Sequence, residues 1–353
     1  MPSSTSSSNV EGFAAHRAPN IPVLKVIIAV IALSVMIASG LELFWSAQGV
    51  QPSLRNTPEV WSLEVHRWMD RRPGSAPAVI LLGSSRVQCG VDSVQLSREL
   101  PEMDVYNLSV GGTRSLEALK FLSQHGALRA GDVVVAEFWP LAQLGAMDRA
   151  PYQQKWRLFE QGYTNPSFSQ DIEATLDVAM ESTLRSVHPE LNLHHVFTHA
   201  LSKRRVLMPL ETMRIDRFIA LDFVHQEASR LARMKSKHAH QFGQVEPMTA
   251  DAQLELIHEF EVVIQEIQAQ GAKVMLFHPV VSGVTREREQ DLLEQQAFQL
   301  DALRSVTDAY VSYEESSTMV GLECPDEIHL GQEDIPAQTS YLSMSIRKMI
   351  PGE

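Results

Sequence analysis

With 353 residues, 44% of them apolar and 21% charged, the chain is long enough for one large domain or two small ones, and it can build a core without covalent staples. Its formal net charge of −13, with no clustered Lys and Arg to offset it, argues against a nucleic-acid binder, because neutralising phosphates requires a basic surface. Two cysteines, Cys89 and Cys324, are too few for a disulfide scaffold.

The first stretch, 1–20, is Ser-rich and aperiodic and reads as a disordered cytoplasmic tail. Residues 21–45 follow as a transmembrane anchor. The run from Val26 to Leu41 carries no charge and is long enough for a bilayer-spanning helix, with Lys25 and Glu42 at its ends. Ala38-Ser39-Gly40 has the small residues of a leader-cleavage site, so a removed signal peptide competes with a retained anchor; the apolar run exceeds the usual leader core, which favours the anchor. Arg17 and Lys25 precede the span whereas Glu42 and Arg55 follow it, a bias that leaves the tail inside and exports the rest. The expectation is a single-pass inner-membrane protein with a periplasmic domain.

Residues 46–77 read as a connector and a leading helix. Trp61, Val65 and Trp68 stand near helical spacing in 59–72, where they either pack on a sheet, the preferred reading, or anchor at a membrane surface. Pro73-Gly74 then hands the chain into a domain spanning 78–353. Short apolar runs predict strands at 78–82, 104–107, 132–138, 273–278 and 309–312, and helical patterning between them predicts helices at 87–100, 114–128 and 335–350. Alternation of strand and helix implies an α/β fold, a three-layer α/β/α sandwich around a five-stranded parallel sheet. Between the third and fourth strands lies far more chain than a crossover needs, a helical insertion at about 141–250. Helical patterning at 171–186, 211–237 and 249–268, with Asn165-Pro166 and Pro189 as breakers, gives it structure of its own: a lid with a role in acceptor choice, a partner surface or, equally, a structural appendage.

Ala78 to Arg86, AVILLGSSR, is a strand broken at Gly83 and followed by two serines. Reactive groups in open α/β sheets gather past the carboxyl ends of strands, which makes Ser85 the candidate nucleophile. A serine hydroxyl needs a base, and the base needs an acceptor to fix its tautomer; Asp326 and His329 in Asp-Glu-Ile-His can supply both from one loop. Tyr106 to Thr113, YNLSVGGT, offers backbone N–H groups beside the first strand. Each motif alone is as consistent with an ordinary turn or surface loop as with a site.

Serine turn, glycine loop and Asp-x-x-His, in that order and each at a strand end, resemble the blocks of the SGNH/GDSL hydrolase superfamily. The resemblance covers 78–114 and 271–349. It implies the strand order 2-1-3-4-5, a catalytic Ser85, His329 and Asp326, and an oxyanion held by the N–H groups of Ser85 and Gly112. Ser84, Arg86, Asn107 and Trp139 beside these blocks are the candidates to line the substrate; for Trp139 and its neighbour Glu137 packing competes with that role, and His278 takes none. No cofactor is implied. The family's oxyanion Asn has no counterpart, since no Asn stands between Leu108 and Thr164, and hydrolysis is weakened by about two to three decades unless something substitutes. This pattern is similar to anchored relatives that acylate envelope polymers, such as alginate acetylation and teichoic-acid D-alanylation proteins. An esterase or O-acyltransferase acting on an acylated carbohydrate or polysaccharide is implied, served by a membrane acyl-donor partner protein. The alternative is a weak or inactive SGNH-like glycan-binding scaffold of an export complex.

Cys89 and Cys324 lie close in sequence to Ser85 and Asp326, so a disulfide is conceivable, although free buried thiols are the preferred reading. His195 and His199 at i, i+4, with His194 beside them, and the pair His238 and His240 raise a metal site; neither set has a further ligand at diagnostic spacing, so none is assigned.

Overall fold

The structure, a computed structural model, describes residues 21–47, 53, 56–125, 127–164, 168–181, 183–184, 211–214, 217–221, 223, 226 and 228–350. The tail, Arg55, the breakers Asn165-Pro166 and Pro189, and His194, His195 and His199 lie outside the described residues. The chain divides into two compact units, 1–49 and 50–353.

The described residues of the first unit form the helix α1 (Ile21–Ala47). Its stretch Lys25–Ala47 is long and apolar enough to cross a membrane, a property shared by anchors and leader peptides alike.

The second unit opens with α2 (Pro58–Met69), started by Pro58 in its first turn and by the Thr57 hydroxyl, which accepts from the N–H of Val60. Its Trp61, Val65 and Trp68 are fully buried, so the tryptophans are core residues. Trp61 also donates its indole N–H to the Leu108 carbonyl at 3.0 Å. Then come β1 (Ala78–Leu82), α3 (Ser85–Gly90), α4 (Ser93–Glu99), β2 (Asp104–Asn107), α5 (Ser115–His125) and β3 (Val133–Glu137). The insertion contributes α6 (Pro140–Gln143), α7 (Ala150–Thr164), α8 (Phe168–Glu181), a hairpin of β4 (Glu211–Met213) and β5 (Ile219–Leu221), and α9 (Ala228–Gly243). The crossover helix α10 (Ala250–Ala269) leads to β6 (Lys273–His278), α11 (Gly283–Gln295), α12 (Ala297–Val306), β7 (Ala309–Ser312), α13 (Ser317–Val320) and α14 (Ile335–Arg347).

The main sheet has five strands in the order β2-β1-β3-β6-β7, all paired in parallel, which is the expected 2-1-3-4-5. Alternation along each strand sends side chains into two separate cores. Ile80, Leu82, Val134, Ala136, Val274 and Leu276 join α2, α5 and α10 on one face. Val79, Leu81, Val133, Val135, Met275 and Phe277 join α3, α4 and α14 on the other. Both faces are therefore covered, as parallel strands require, and each large aliphatic side chain buried there contributes about 1.5–3 kcal/mol. Beneath the sheet the buried Asp132 takes a bidentate pair from Arg71, at 3.0 and 2.7 Å, and the N–H of Ala78 at 2.8 Å. That pair ties the end of α2 to the starts of β1 and β3.

Two expectations need correction. The helix expected over 87–100 is two helices, because Asp92 leaves the helical path and caps the second, accepting from Val94 and Gln95 at 3.0 and 3.2 Å. The helix expected over 211–237 begins only at Ala228; a hairpin precedes it, burying Met213, Ile219, Leu221 and Phe223 with Val60 and Cys89. Here packing of alternate side chains overrides a helical reading. Arg214 fastens the hairpin to Asp92 at 2.6 and 3.0 Å.

Candidate active site

The strand β1 ends at Leu82, and Gly83 turns the chain into α3. A side chain at Gly83 would meet Glu137 Oε2 at 2.7 Å and Val87 at 2.8 Å, so only glycine lets the turn close against β3. Ser84 caps α3: its Oγ accepts from the N–H of Arg86 at 3.2 Å, and its own N–H and Oγ–H donate to Glu137 at 2.5 and 3.1 Å. Ser85 is thereby fixed as the first residue of α3.

From the far end of the chain, the loop after α13 brings Asp326 and His329 to the same place. His329 Nε2 lies 2.8 Å from Ser85 Oγ, and its Nδ1 lies 2.8 Å from Asp326 Oδ2. Asp326 is fully buried, and its Oδ1 accepts from the N–H groups of Ile328 and His329 at 3.2 and 2.9 Å. Burial raises the Asp326 carboxyl, but the bonds from the His329 ring and backbone outweigh it and hold the group below the ordinary carboxylate value. An ionised acceptor keeps the proton on Nδ1 and leaves the Nε2 lone pair for the serine hydroxyl, which donates to it. Between the two residues Glu327 adopts φ 79°, a left-handed conformation costing a non-glycine residue about 1–3 kcal/mol. It is held there by the Thr285 hydroxyl and N–H, which donate to its carboxylate at 3.2 and 3.3 Å, and by the N–H of Ser282, which donates to its carbonyl at 3.0 Å.

The glycine loop passes beside the serine. A Cβ on Gly111 would stand 3.5 Å from Ser85 Cβ, while the N–H of Gly111 is taken by Gln88 Oε1 at 3.1 Å. Gly112 has φ 71°, and its N–H and that of Ser85 have no protein acceptor among the described residues. Two groups absent from the sequence reading flank this loop. Lys155, on α7, lays its side chain across Gly112, so that a Cβ there would meet Nζ at 3.1 Å. Arg217, 1% exposed at the turn of the β4–β5 hairpin, supports the loop from behind by donating to the Ser109 carbonyl at 3.0 Å and to Asn56 Oδ1 at 3.1 Å. Burial pulls its guanidinium down to about 9, with Glu64 opposing, and its Nε and Nη1 have no hydrogen-bond partner among the described residues.

Of the candidate lining residues, Ser84, Arg86 and Asn107 are buried and committed elsewhere. Arg86 donates to Glu289 and to the Pro279 carbonyl, each at 3.1 Å, and its Nε lies 3.6 Å from Glu137. Glu289 in turn accepts from His278 Nε2 at 2.7 Å, and His278 Nδ1 meets Ser312 Oγ at 3.1 Å. Asn107 Oδ1 accepts from the N–H of Ser109 at 3.2 Å. Arg86 and Glu289 form a buried ion network with Glu137 and His278, and Ser84 and Asn107 bond to the chain beside them, so all three candidates support the blocks from inside. Trp139 packs edge-on to Tyr152 and Phe242 at 6.0 and 5.8 Å, and its buried indole N–H has no acceptor. Neither cysteine is in a disulfide, and the two are buried in different clusters, Cys89 with the hairpin and Cys324 with Phe218, Val280 and Tyr313.

His238, weighed from sequence only as a metal ligand, instead approaches the loop of Asp326 and His329. Its Nδ1 is 2.8 Å from the Asp326 carbonyl and 3.7 Å from Asp326 Oδ2, and its ring centre is 6.2 Å from that of His329. His240 is exposed, and among the described residues no three His, Cys, Asp or Glu side chains gather as a metal site would need. A histidine on the helix of an insertion carries no periodic signal, and only the fold could bring it here.

No protein-family model matches the chain, and no curated protein matches it in sequence. Among solved structures it is similar to the crystal structure of TesA, at 13% identity over 77% of this chain and 99% of that one, with a TM-score of 0.36. It is also similar to the protein YxiM of Bacillus subtilis, at 11% identity over 80% of this chain and 59% of that one, with a TM-score of 0.31. Likenesses this distant carry no argument about activity; the fold rests on the sheet order and the site on its own distances.

Proposed function

We propose that this chain is an SGNH-type serine acyl-transfer enzyme. The supporting observation is the hydrogen-bonded line from Ser85 through His329 to Asp326, which joins side chains 244 positions apart at the carboxyl edge of a parallel sheet. Ser85 Oγ attacks an ester carbonyl while His329 Nε2 takes its proton, and Asp326 stabilises the imidazolium that forms. The oxygen that becomes negative is met by the N–H groups of Ser85 and Gly112, and the Lys155 ammonium beside Gly112 adds positive charge where the family pattern has an asparagine. The leaving alcohol takes the proton from His329. An acyl-Ser85 ester remains, to be discharged by water or by another hydroxyl.

In this proposal α1 is retained as an anchor, the second unit is extracytoplasmic, and the acyl group is carried to or from an envelope carbohydrate with a membrane partner as donor. The missing asparagine favours a second reading, a weakly active or inactive glycan-binding scaffold. Full-length protein in detergent, mixed with 4-nitrophenyl acetate, separates the two. A stoichiometric burst of nitrophenol, absent from Ser85→Ala, is expected; release no faster than that variant would sink the enzyme reading and leave the scaffold.

A further inference from the structure

The atom opposite the Nδ1 of His238 is an oxygen that can only accept, the main-chain carbonyl of Asp326, 2.8 Å away. Nδ1 therefore carries a hydrogen, and in the neutral ring the Nε2 lone pair is left as an acceptor. That Nε2 has no protein partner among the described residues, although the side chain keeps only 14% of its surface exposed. The ring is oriented from two sides, by the Asp326 carbonyl and by Phe242, which stacks on it at 5.8 Å and 29°. Phe242 is itself held by Trp139, which packs edge-on to it at 5.8 Å. A fixed, partly exposed acceptor thus stands beside the ring of His329, which fits a ligand bearing hydroxyl groups.

We infer that His238 is the residue that selects the acyl acceptor: its Nε2 accepts a hydrogen bond from one hydroxyl of a sugar or polyol while a neighbouring hydroxyl of the same molecule is presented to His329. This rests on the proposed acyl-Ser85 intermediate. In the second half of the reaction the presented hydroxyl attacks the acyl carbonyl and gives its proton to His329 Nε2. A new C–O bond to the acceptor forms, the C–Oγ bond to Ser85 breaks, and His329 returns the proton to Ser85. His238 exchanges no proton. It holds the acceptor: the two ring centres are 6.2 Å apart, near enough for one polyhydroxylated ring to reach both. The insertion helix α9 thereby gives the carbohydrate an advantage over solvent.

The experiment uses full-length protein in detergent with 4-nitrophenyl acetate as donor and methyl glucoside as acceptor, reading acetylated glucoside against free acetate by mass spectrometry. His238→Asn keeps an amide N–H where Nδ1 stood but puts nothing at Nε2; His238→Gln places an amide oxygen near the Nε2 position. The ratio of transfer to hydrolysis is expected to fall about tenfold in His238→Asn, the worth of one hydrogen bond, and to return to within about threefold of wild type in His238→Gln. If His238 merely anchors the Asp326 loop, Asn rescues and Gln does not. A Gln variant that fails to exceed Asn, or an Asn variant that keeps the wild-type ratio, overturns the inference. Wild-type protein that releases nitrophenol through Ser85 but forms no acetylated glucoside overturns it while leaving the acyl-enzyme intact; absence of any Ser85-dependent release removes both.

Discussion

In β1 and β3 every side chain is buried, whereas the insertion helices α7 and α9 bury only Trp156 and Phe159, and Phe242. The sheet spends its residues on two apolar cores, and at its carboxyl edge it fixes Ser85 through Gly83, Ser84 and Glu137 with little freedom. The insertion commits few apolar side chains and brings polar ones instead: Lys155 to Gly112, Arg217 to Ser109, His238 to Asp326. A rigid layer holds Ser85, and a loosely embedded layer sets the charge and hydrogen bonding around it.

Changes on the sheet side should therefore be severe and changes on the insertion side graded. Asp326→Asn leaves the loop bonds to Oδ1 available but offers His329 the wrong partner; its turnover of a nitrophenyl ester is expected to fall by about four decades, and a fall of less than tenfold would show that His329 needs no orienting carboxylate. Arg86→Met leaves Glu289 and Glu137 buried beside each other without their shared cation. A loss of about 3–5 kcal/mol in chemical denaturation is expected, and an unchanged midpoint would mean that the network is not a support for the serine turn. On the insertion side, Lys155→Met should lower kcat for the same ester about tenfold with little change in melting temperature, and a roughly tenfold rise in KM with kcat unchanged would assign Lys155 to binding. The smallest effect concerns acid. Because the carboxyl of Asp326 is held below its ordinary value of 3.8 in the folded chain, its contribution to stability is complete above that value and is lost as pH falls through the folded one. Thermal melting of the wild type should decline below about pH 4 more steeply than that of Asp326→Asn.

How far the sequence disclosed this division follows from the same contrast. The strands at 78–82, 104–107, 273–278 and 309–312 stand where short apolar runs placed them, since the inner residues of a covered parallel strand are apolar on either face. Ser85, Asp326 and His329 were legible because each follows such a strand or lies in a short turn with the right chemistry. The β4–β5 hairpin was read as helix, yet Ile219, Leu221 and Phe223 alternate with period two and are all buried, a signal present in the chain but too short to outweigh its helical flanks. Arg86 and Asn107 were expected to face a substrate because they adjoin the motifs; sequence adjacency says nothing of which side of a turn a side chain leaves from, and both leave into the interior. Lys155, Arg217 and His238 had no local pattern at all, since their partners are main-chain atoms and loops distant in sequence.

The relay between the two ends of the chain is tested most directly by mapping where a fluorophosphonate binds covalently. Peptide mass spectrometry of the labelled full-length protein should find one adduct, on Ser85, and His329→Ala should lose nearly all of it while keeping the wild-type melting curve. An adduct on any other residue, or undiminished labelling of Ser85 without His329, would contradict the proton relay between them.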